Sequence, residues 1–171
     1  QNPQVAGEQE IEASLVLGCD GGSSAVRDAL VTNHGFEGRV DPLGSDYKEL
    51  LFVAGGDGAF LMEGHALHIW PRGHHMLMAL PNRDGSFTGT LYLPGEGEHS
   101  FAALSNAVAV EAYFGQYFAD AVPLLGDLAG QMLGNPKGHL GTVRCAPWSL
   151  GGRVLLVGDA AHGIVPFFGQ G

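Results

Sequence analysis

The stretch that most restricts the fold is Gly151 to Gly171, GGRVLLVGDAAHGIVPFFGQG. A Gly-Gly turn opens it, Arg153 to Val157 carry a buried-strand pattern, and the strand stops at Gly158-Asp159. Small residues, a histidine and an apolar loop with Pro166, Phe167 and Phe168 follow. Such a strand delivers one carboxylate to a sheet edge, and in open α/β sheets ligands sit outside the carboxyl ends of the strands. Two readings are open here. Asp159 serves a ligand, or it caps the next helix.

A second unit of the same kind lies near the start. Apolar Leu15 to Leu17 run into Gly18-Cys19-Asp20-Gly21-Gly22-Ser23-Ser24 and then AVRDAL, which reads as strand, glycine turn and helix. Ser23 or Ser24 caps that helix, and Val26, Ala29 and Leu30 supply its buried side. Asp20 ends its strand as Asp159 ends the other, and Gly21 and Gly22 permit φ > 0 or close approach of a ligand. Asp20 as a turn cap is again the competing reading.

Between the two units the texture changes from about Val31, where a domain crossing is expected. Thr32 to Asp46 is polar, and Tyr47 to Val53 has strand character. Ala66 to Pro71, His75 to Leu80 and Ser86 to Leu93 alternate as strands, with Asp84-Gly85 reversing the last pair into a hairpin. The outcome is an antiparallel sheet with two apolar faces, one for a helix and one free to wall a ligand cavity. A helix is expected from Asn106 to Asp120, with Val110, Tyr113, Phe114, Tyr117 and Phe118 as a core stripe. A short helix over Leu124 to Leu133 and a strand around Leu140 to Trp148 complete the path back.

Composition narrows the function classes. The 171 residues, 45% hydrophobic, suffice for one packed core. A formal net charge of −10 without a basic cluster argues against nucleic-acid or anionic-membrane partners. No apolar run approaches the roughly 20 residues of a membrane helix. Cys19 and Cys145 lack CxxC spacing, which suits a reducing cytoplasm. His65 and His68, and His74 and His75, point apart on strands, so no metal triad is assembled locally. No G-x-S-x-G elbow is visible. The chain does not begin with methionine and stops at Gln170-Gly171, so a fragment of a longer protein is expected.

Two motifs then read together. Asp20-Gly21-Gly22-Ser23-Ser24-Ala25-Val26-Arg27 resembles the D-G-x-x-S-x-V-R motif of FAD-dependent aromatic hydroxylases, and Arg153 to Gly171 is similar to their second signature, G-D-A-A-H followed by P-x-x-G-Q-G. Within that family, LHIWPR at Leu67 to Arg72, ALPN at Ala79 to Asn82 and PFFGQG at Pro166 to Gly171 look most like the kynurenine-hydroxylating branch. The resemblance covers nearly the whole chain but lacks the family's opening G-x-G-x-x-G.

The resemblance implies an α/β fold with α+β character: part of a Rossmann-like FAD-binding domain carrying an inserted antiparallel-sheet substrate domain, as in p-hydroxybenzoate hydroxylase-like flavoproteins. Residues 1–30 would end the first FAD segment, 31–148 would be the substrate domain, and 149–171 the return to the FAD domain. It implies FAD and NADPH as cofactors, dioxygen as co-substrate, and hydroxylation of L-kynurenine to 3-hydroxykynurenine through a flavin hydroperoxide, with another aromatic-ring hydroxylase of phenol or salicylate type, or a non-catalytic flavoprotein fragment acting as a binding module, as the alternatives. No side chain need act as nucleophile. Asp159, Gly158, Ala160, Ala161, Gly169, Gln170, Gly171, Asp20 and Arg27 would lie at the cofactor. Pro166, Phe167, Phe168, Leu67, Ile69 and Met78 would line the substrate. The cytoplasm is the expected location, although animal members of the family carry a C-terminal membrane anchor. The 171 residues alone are expected not to hold FAD one to one.

Overall fold

The computed structural model describes residues 10–165. In chain order its elements are β1 (Val16–Gly18), α1 (Ala25–His34), β2 (Glu37–Phe52), β3 (His68–Arg72), β4 (His75–Pro81) and β5 (Phe87–Leu93). The helices α2 (Ala107–Tyr117) and α3 (Leu128–Gly134) follow, then β6 (Lys137–Ala146), β7 (Ser149–Leu150), β8 (Val154–Leu156) and α4 (Asp159–His162). Two compact units result, one from the residues up to Asp41 together with those from Gly141 onward, the other from Pro42–Leu140. Sequence texture put the crossings after Leu30 and after Trp148. The units divide instead within β2 and β6, because composition changes where α1 ends while the long strands run on before the chain joins a new core.

In the first unit β1 and β8 are parallel, with Val16 opposite Val154, Leu17 opposite Leu155 and Gly18 opposite Leu156. Strand β7 turns back antiparallel on β8, through Gly151 and Gly152 at φ 55° and 69°, a region glycine enters without strain. Leu156 points into a small core with Leu30, Phe36, Ala160 and Ala161. Leu17 and Leu155, of opposite parity, stay about half exposed. A Cβ on Gly18 would lie 2.9 Å from Leu156 Cδ2 and 3.1 Å from Val26, so glycine is what lets α1 close on the strand pair. Helix α1 is capped by the Ser24 hydroxyl at one end and by left-handed Gly35 at the other. Its buried side is Arg27 and Leu30 rather than Ala29, which is exposed.

The second unit is built on a sheet of order β3-β4-β5-β2-β6. Strands β3, β4, β5 and β2 pair antiparallel in turn. Register puts Leu77, Ala79, Leu91, Leu50, Phe52 and Phe87 in one core with Val110, Tyr113, Phe114 and Phe118 of α2. Burying each leucine, valine or phenylalanine of this set contributes about 1.5–3 kcal/mol. Phe52 stacks on Trp70 at 5.7 Å and lies across Gly89, where a Cβ would meet the ring at 2.5 Å. The hairpin turns at Gly85 (φ 84°), with the Asp84 carboxylate accepting both the Ser86 amide and hydroxyl.

Three elements differ from the sequence expectation. β2 begins at Glu37 rather than Tyr47, because a strand held by backbone pairing tolerates polar side chains where both faces are wet. α3 starts at Leu128, capped by Asp127, because Val122-Pro123-Leu124 form a separate 3-10 turn. β6 begins directly after Pro136 and ends before Pro147, each proline bounding it. Among the described residues no helix is long and apolar enough to cross a membrane.

Candidate functional site: the carboxyl ends of β1 and β8

Because β1 and β8 are adjacent and parallel, both glycine-acid motifs leave the same edge of the small sheet. The Val157 amide still bonds the Gly18 carbonyl at 3.0 Å, so the two loops separate only past that point. Asp20 accepts the Ser24 hydroxyl at 2.6 Å and the Val26 amide at 3.1 Å. The Ser24 hydroxyl first, and then the Val26 amide, hold the Asp20 carboxyl below its usual range. Its oxygens thus fasten the turn to the start of α1.

Arg27 is 4% exposed. Its guanidinium donates Nη2 to the Gly22 carbonyl at 2.7 Å and Nη1 to the Ala160 carbonyl at 3.2 Å. One buried side chain thereby ties the first motif's loop to the second motif's helix. The sequence expectation placed Asp20 and Arg27 against the cofactor; here their polar atoms join and position the two loops. Ala160 and Ala161, expected to give close access to a ligand, are 0% and 1% exposed, and their smallness serves the packing of α4 on α1.

Asp159 and Gly158 do face outward. Gly158 has φ 63° and ψ −138°, with nothing within 4 Å of where a Cβ would stand. Gly21, at φ 79°, is equally open. After α4, the Gly163 carbonyl accepts the Val143 amide at 2.8 Å, and His162 packs on Trp148 at 5.0 Å. Pro166, Phe167, Phe168, Gly169, Gln170 and Gly171 lie outside the described residues.

The second unit offers a different surface. Ile69 is directly opposite Met78, and Met78 opposite Thr90, on the sheet face away from α2. Leu67, which precedes β3 rather than belonging to it, shares this parity. Ile69 is 50% exposed and Met78 5%. Register adds residues not singled out from sequence: Met76 opposite Tyr92, and Leu80 opposite Thr88. Alternation along β4 already set Met76, Met78 and Leu80 on one face, and strand pairing adds which residues of β5 lie beside them.

Comparison with known proteins follows this geometry. A kynurenine 3-monooxygenase of Myxococcus xanthus is 54% identical over 157 residues, covering 92% of this chain and 34% of the relative. Those of Flavobacterium psychrophilum and Dictyostelium discoideum are each 47% identical, covering 94% and 95% of this chain and 36% and 35% of theirs. The chain therefore spans about a third of the length of the curated relatives it matches. Among solved structures, Klebsiella pneumoniae HpxO complexed with FAD and uric acid superposes with a TM-score of 0.62 at 21% identity, over 92% of this chain and 38% of that one. The tetrameric form of 2-methyl-3-hydroxypyridine-5-carboxylic acid oxygenase gives 0.65 at 23%, over 91% and 40%. Both share the fold. The family model for the FAD binding domain matches residues 2–171, and with both motifs on one sheet edge the chain belongs to that FAD-binding domain family.

Proposed function

We propose that this chain is part of an FAD- and NADPH-dependent monooxygenase that converts L-kynurenine, NADPH, a proton and dioxygen into 3-hydroxykynurenine, NADP⁺ and water. The observation that carries the reading is 54% identity over 157 residues to a kynurenine 3-monooxygenase, with both glycine-acid motifs on one edge. The residues present fit a bound flavin nucleotide. Gly158 and Gly21 leave open space at the strand ends, and Asp159 presents an exposed carboxylate suited to accept ribose or ribitol hydroxyls. When bound, FAD supplies the redox chemistry by which NADPH and dioxygen are used.

The chain's own residues bind and position. Arg27, bridging Gly22 and Ala160, keeps the two loops at a fixed spacing, and Asp20 holds the first of them closed on α1. On the second unit, Leu67, Ile69 and Met78, extended by Met76 and Leu80, supply apolar surface for an aromatic ring and exclude water from it. By the resemblance, Phe167 and Phe168 would offer aromatic and Pro166 apolar surface to the substrate, and Gly169, Gln170 and Gly171 would lie at the cofactor. No residue serves as nucleophile.

The test is NADPH oxidation by the full-length protein with L-kynurenine, and separately with phenols or salicylate, with products identified by mass spectrometry. The expected product is 3-hydroxykynurenine. Oxidation that yields only hydrogen peroxide with L-kynurenine, or hydroxylates only the phenols, overturns the reading.

A further inference from the structure

Helix α4 is a single turn, Asp159–His162. One turn fixes several dihedrals for very few hydrogen bonds, so contacts from outside must set its direction. At its start these are the burial of Ala160 and Ala161 and the Arg27 bond to the Ala160 carbonyl. At its end they come from β6 and the residues just after it.

The Val143 amide donates to the Gly163 carbonyl at 2.8 Å. The Val143 side chain, 6% exposed, is wedged between the two strand-end loops: its Cγ2 is 3.2 Å from where a Cβ on Gly163 would stand and 4.0 Å from one on Gly22. Gly163 has φ −52° and ψ 131°, open to any residue, so glycine serves there for space and not for conformation. One residue earlier the His162 ring lies against Trp148, with centroids 5.0 Å apart and planes at 50°. Trp148 is tied at two further points. Its carbonyl accepts the Leu156 amide at 2.8 Å, and its indole Nε1 donates to the Cys145 carbonyl at 2.7 Å. A side chain fixed at both backbone and ring presents a rigid face, and burial does not account for that rigidity, since the residue is 49% exposed.

Resting on the reading proposed above, we propose that Trp148 is a positioning residue. With Val143 it sets the direction in which the chain leaves α4 at Gly163. It thereby sets the spacing between Asp159, read as a cofactor contact, and Pro166, Phe167 and Phe168, read as substrate surface. Loss of the ring contact should leave FAD bound, because Arg27 and the two buried alanines still hold the start of α4. The substrate ring would instead be misplaced, and NADPH, a proton and dioxygen would then yield NADP⁺ and hydrogen peroxide in place of hydroxylated product.

The test compares Trp148→Ala, Trp148→Phe and His162→Ala in the full-length protein. Trp148→Ala should raise the KM for L-kynurenine about 5- to 10-fold and cut the 3-hydroxykynurenine formed per NADPH oxidised at least about twofold, with hydrogen peroxide making up the difference. Its FAD affinity should stay within about twofold of the parent's. Trp148→Phe, which returns a ring to His162, should recover most of both values. His162→Ala should match Trp148→Ala, and the double variant should be no worse than either, because both remove one contact. Independently of turnover, hydrogen exchange in Trp148→Ala should show protection of the His162 and Gly163 amides falling about 10-fold while α1 keeps its own. A well-folded Trp148→Ala with parental KM and coupling, additive losses in the double variant, or unchanged protection at His162 and Gly163 overturns the proposal. FAD lost in step with activity does so too, by marking Trp148 as structural only. If the parent hydroxylates a phenol and not L-kynurenine, the same ratios measured with the phenol judge Trp148, and the substrate reading fails alone.

Discussion

Replacing Arg27 by methionine tests whether the two motifs are held together by one buried side chain. Methionine keeps most of the apolar stem, so the change chiefly removes the bonds to Gly22 and Ala160 and leaves two carbonyls short of a donor. Hydrogen bonds from a charged donor contribute about 1.5–3 kcal/mol each, and an orphaned buried acceptor costs about 1–3 kcal/mol. Relief of the desolvation penalty on a guanidinium that is 4% exposed works in the other direction. The nearby Asp28 contact, at 3.7 Å to a carboxylate that is 72% exposed, adds little. The net loss should be about 2–4 kcal/mol, a large share of the roughly 5–15 kcal/mol that typically holds a domain. Urea unfolding gives the total. Hydrogen exchange localises it, because amide protection should fall first in α1 and across Leu156 to Ala161, while β4 and β5 in the other unit stay protected. Arg153→Met, at an exposed position, should change stability by no more than about 0.5 kcal/mol. A loss below about 1 kcal/mol for Arg27→Met, with unchanged protection in α1, would show that the spacing of the motifs does not depend on this residue.

Other outcomes follow from particular contacts. Gly89→Ala would press a methyl to 2.5 Å from the Phe52 ring and should destabilise the second unit by about 1–3 kcal/mol, read from the urea midpoint. His75 is 8% exposed with Nε2 unpartnered among the described residues, and burial, followed by His99, Arg72 and His74, lowers its pKa from the ordinary 6.5. Above pH 6.5 it is neutral folded and unfolded; as pH falls below 6.5 the unfolded chain takes the proton first, so stability should drop until the lower folded value is passed. Comparing His75→Phe with the parent across that window should remove this slope, and an identical slope in both would assign the dependence elsewhere. Ile69→Ser, on the open sheet face, should leave stability within about 0.5 kcal/mol yet raise the KM for an aromatic substrate about 5- to 10-fold in the full-length enzyme. An unchanged KM would remove Ile69 from the substrate surface.

Much of the fold was legible in local patterns. Alternation in β3 to β5 named the face that packs on α2, the aromatic stripe named the side of α2 that packs back, and Asp84-Gly85 named the turn between β4 and β5. These are effects of side-chain period and turn chemistry, which act over a few residues. The first half of β2 was not legible, because it is paired through its backbone and carries polar side chains that have no apolar face to mark. At the strand ends, the sequence pointed to two loops that the structure brings to one sheet edge, but not to the contacts their residues make. Asp20 could be read as a cap or a ligand acid, and the structure adds that Ser24 and Val26 each donate to one of its oxygens, which the local spacing did not reveal.

The sequence by itself determined the two glycine-acid turns, their order and the intervening antiparallel sheet, because glycine, acid and apolar period leave few local conformations open. Tertiary structure alone decided which polar groups stay exposed at the strand ends and which are consumed inside. Arg27 reaches a carbonyl 133 residues away, and Arg39 and Arg144 meet on Asp41 across two strands. Such pairings depend on sheet order and register, which bring together residues that no local spacing relates.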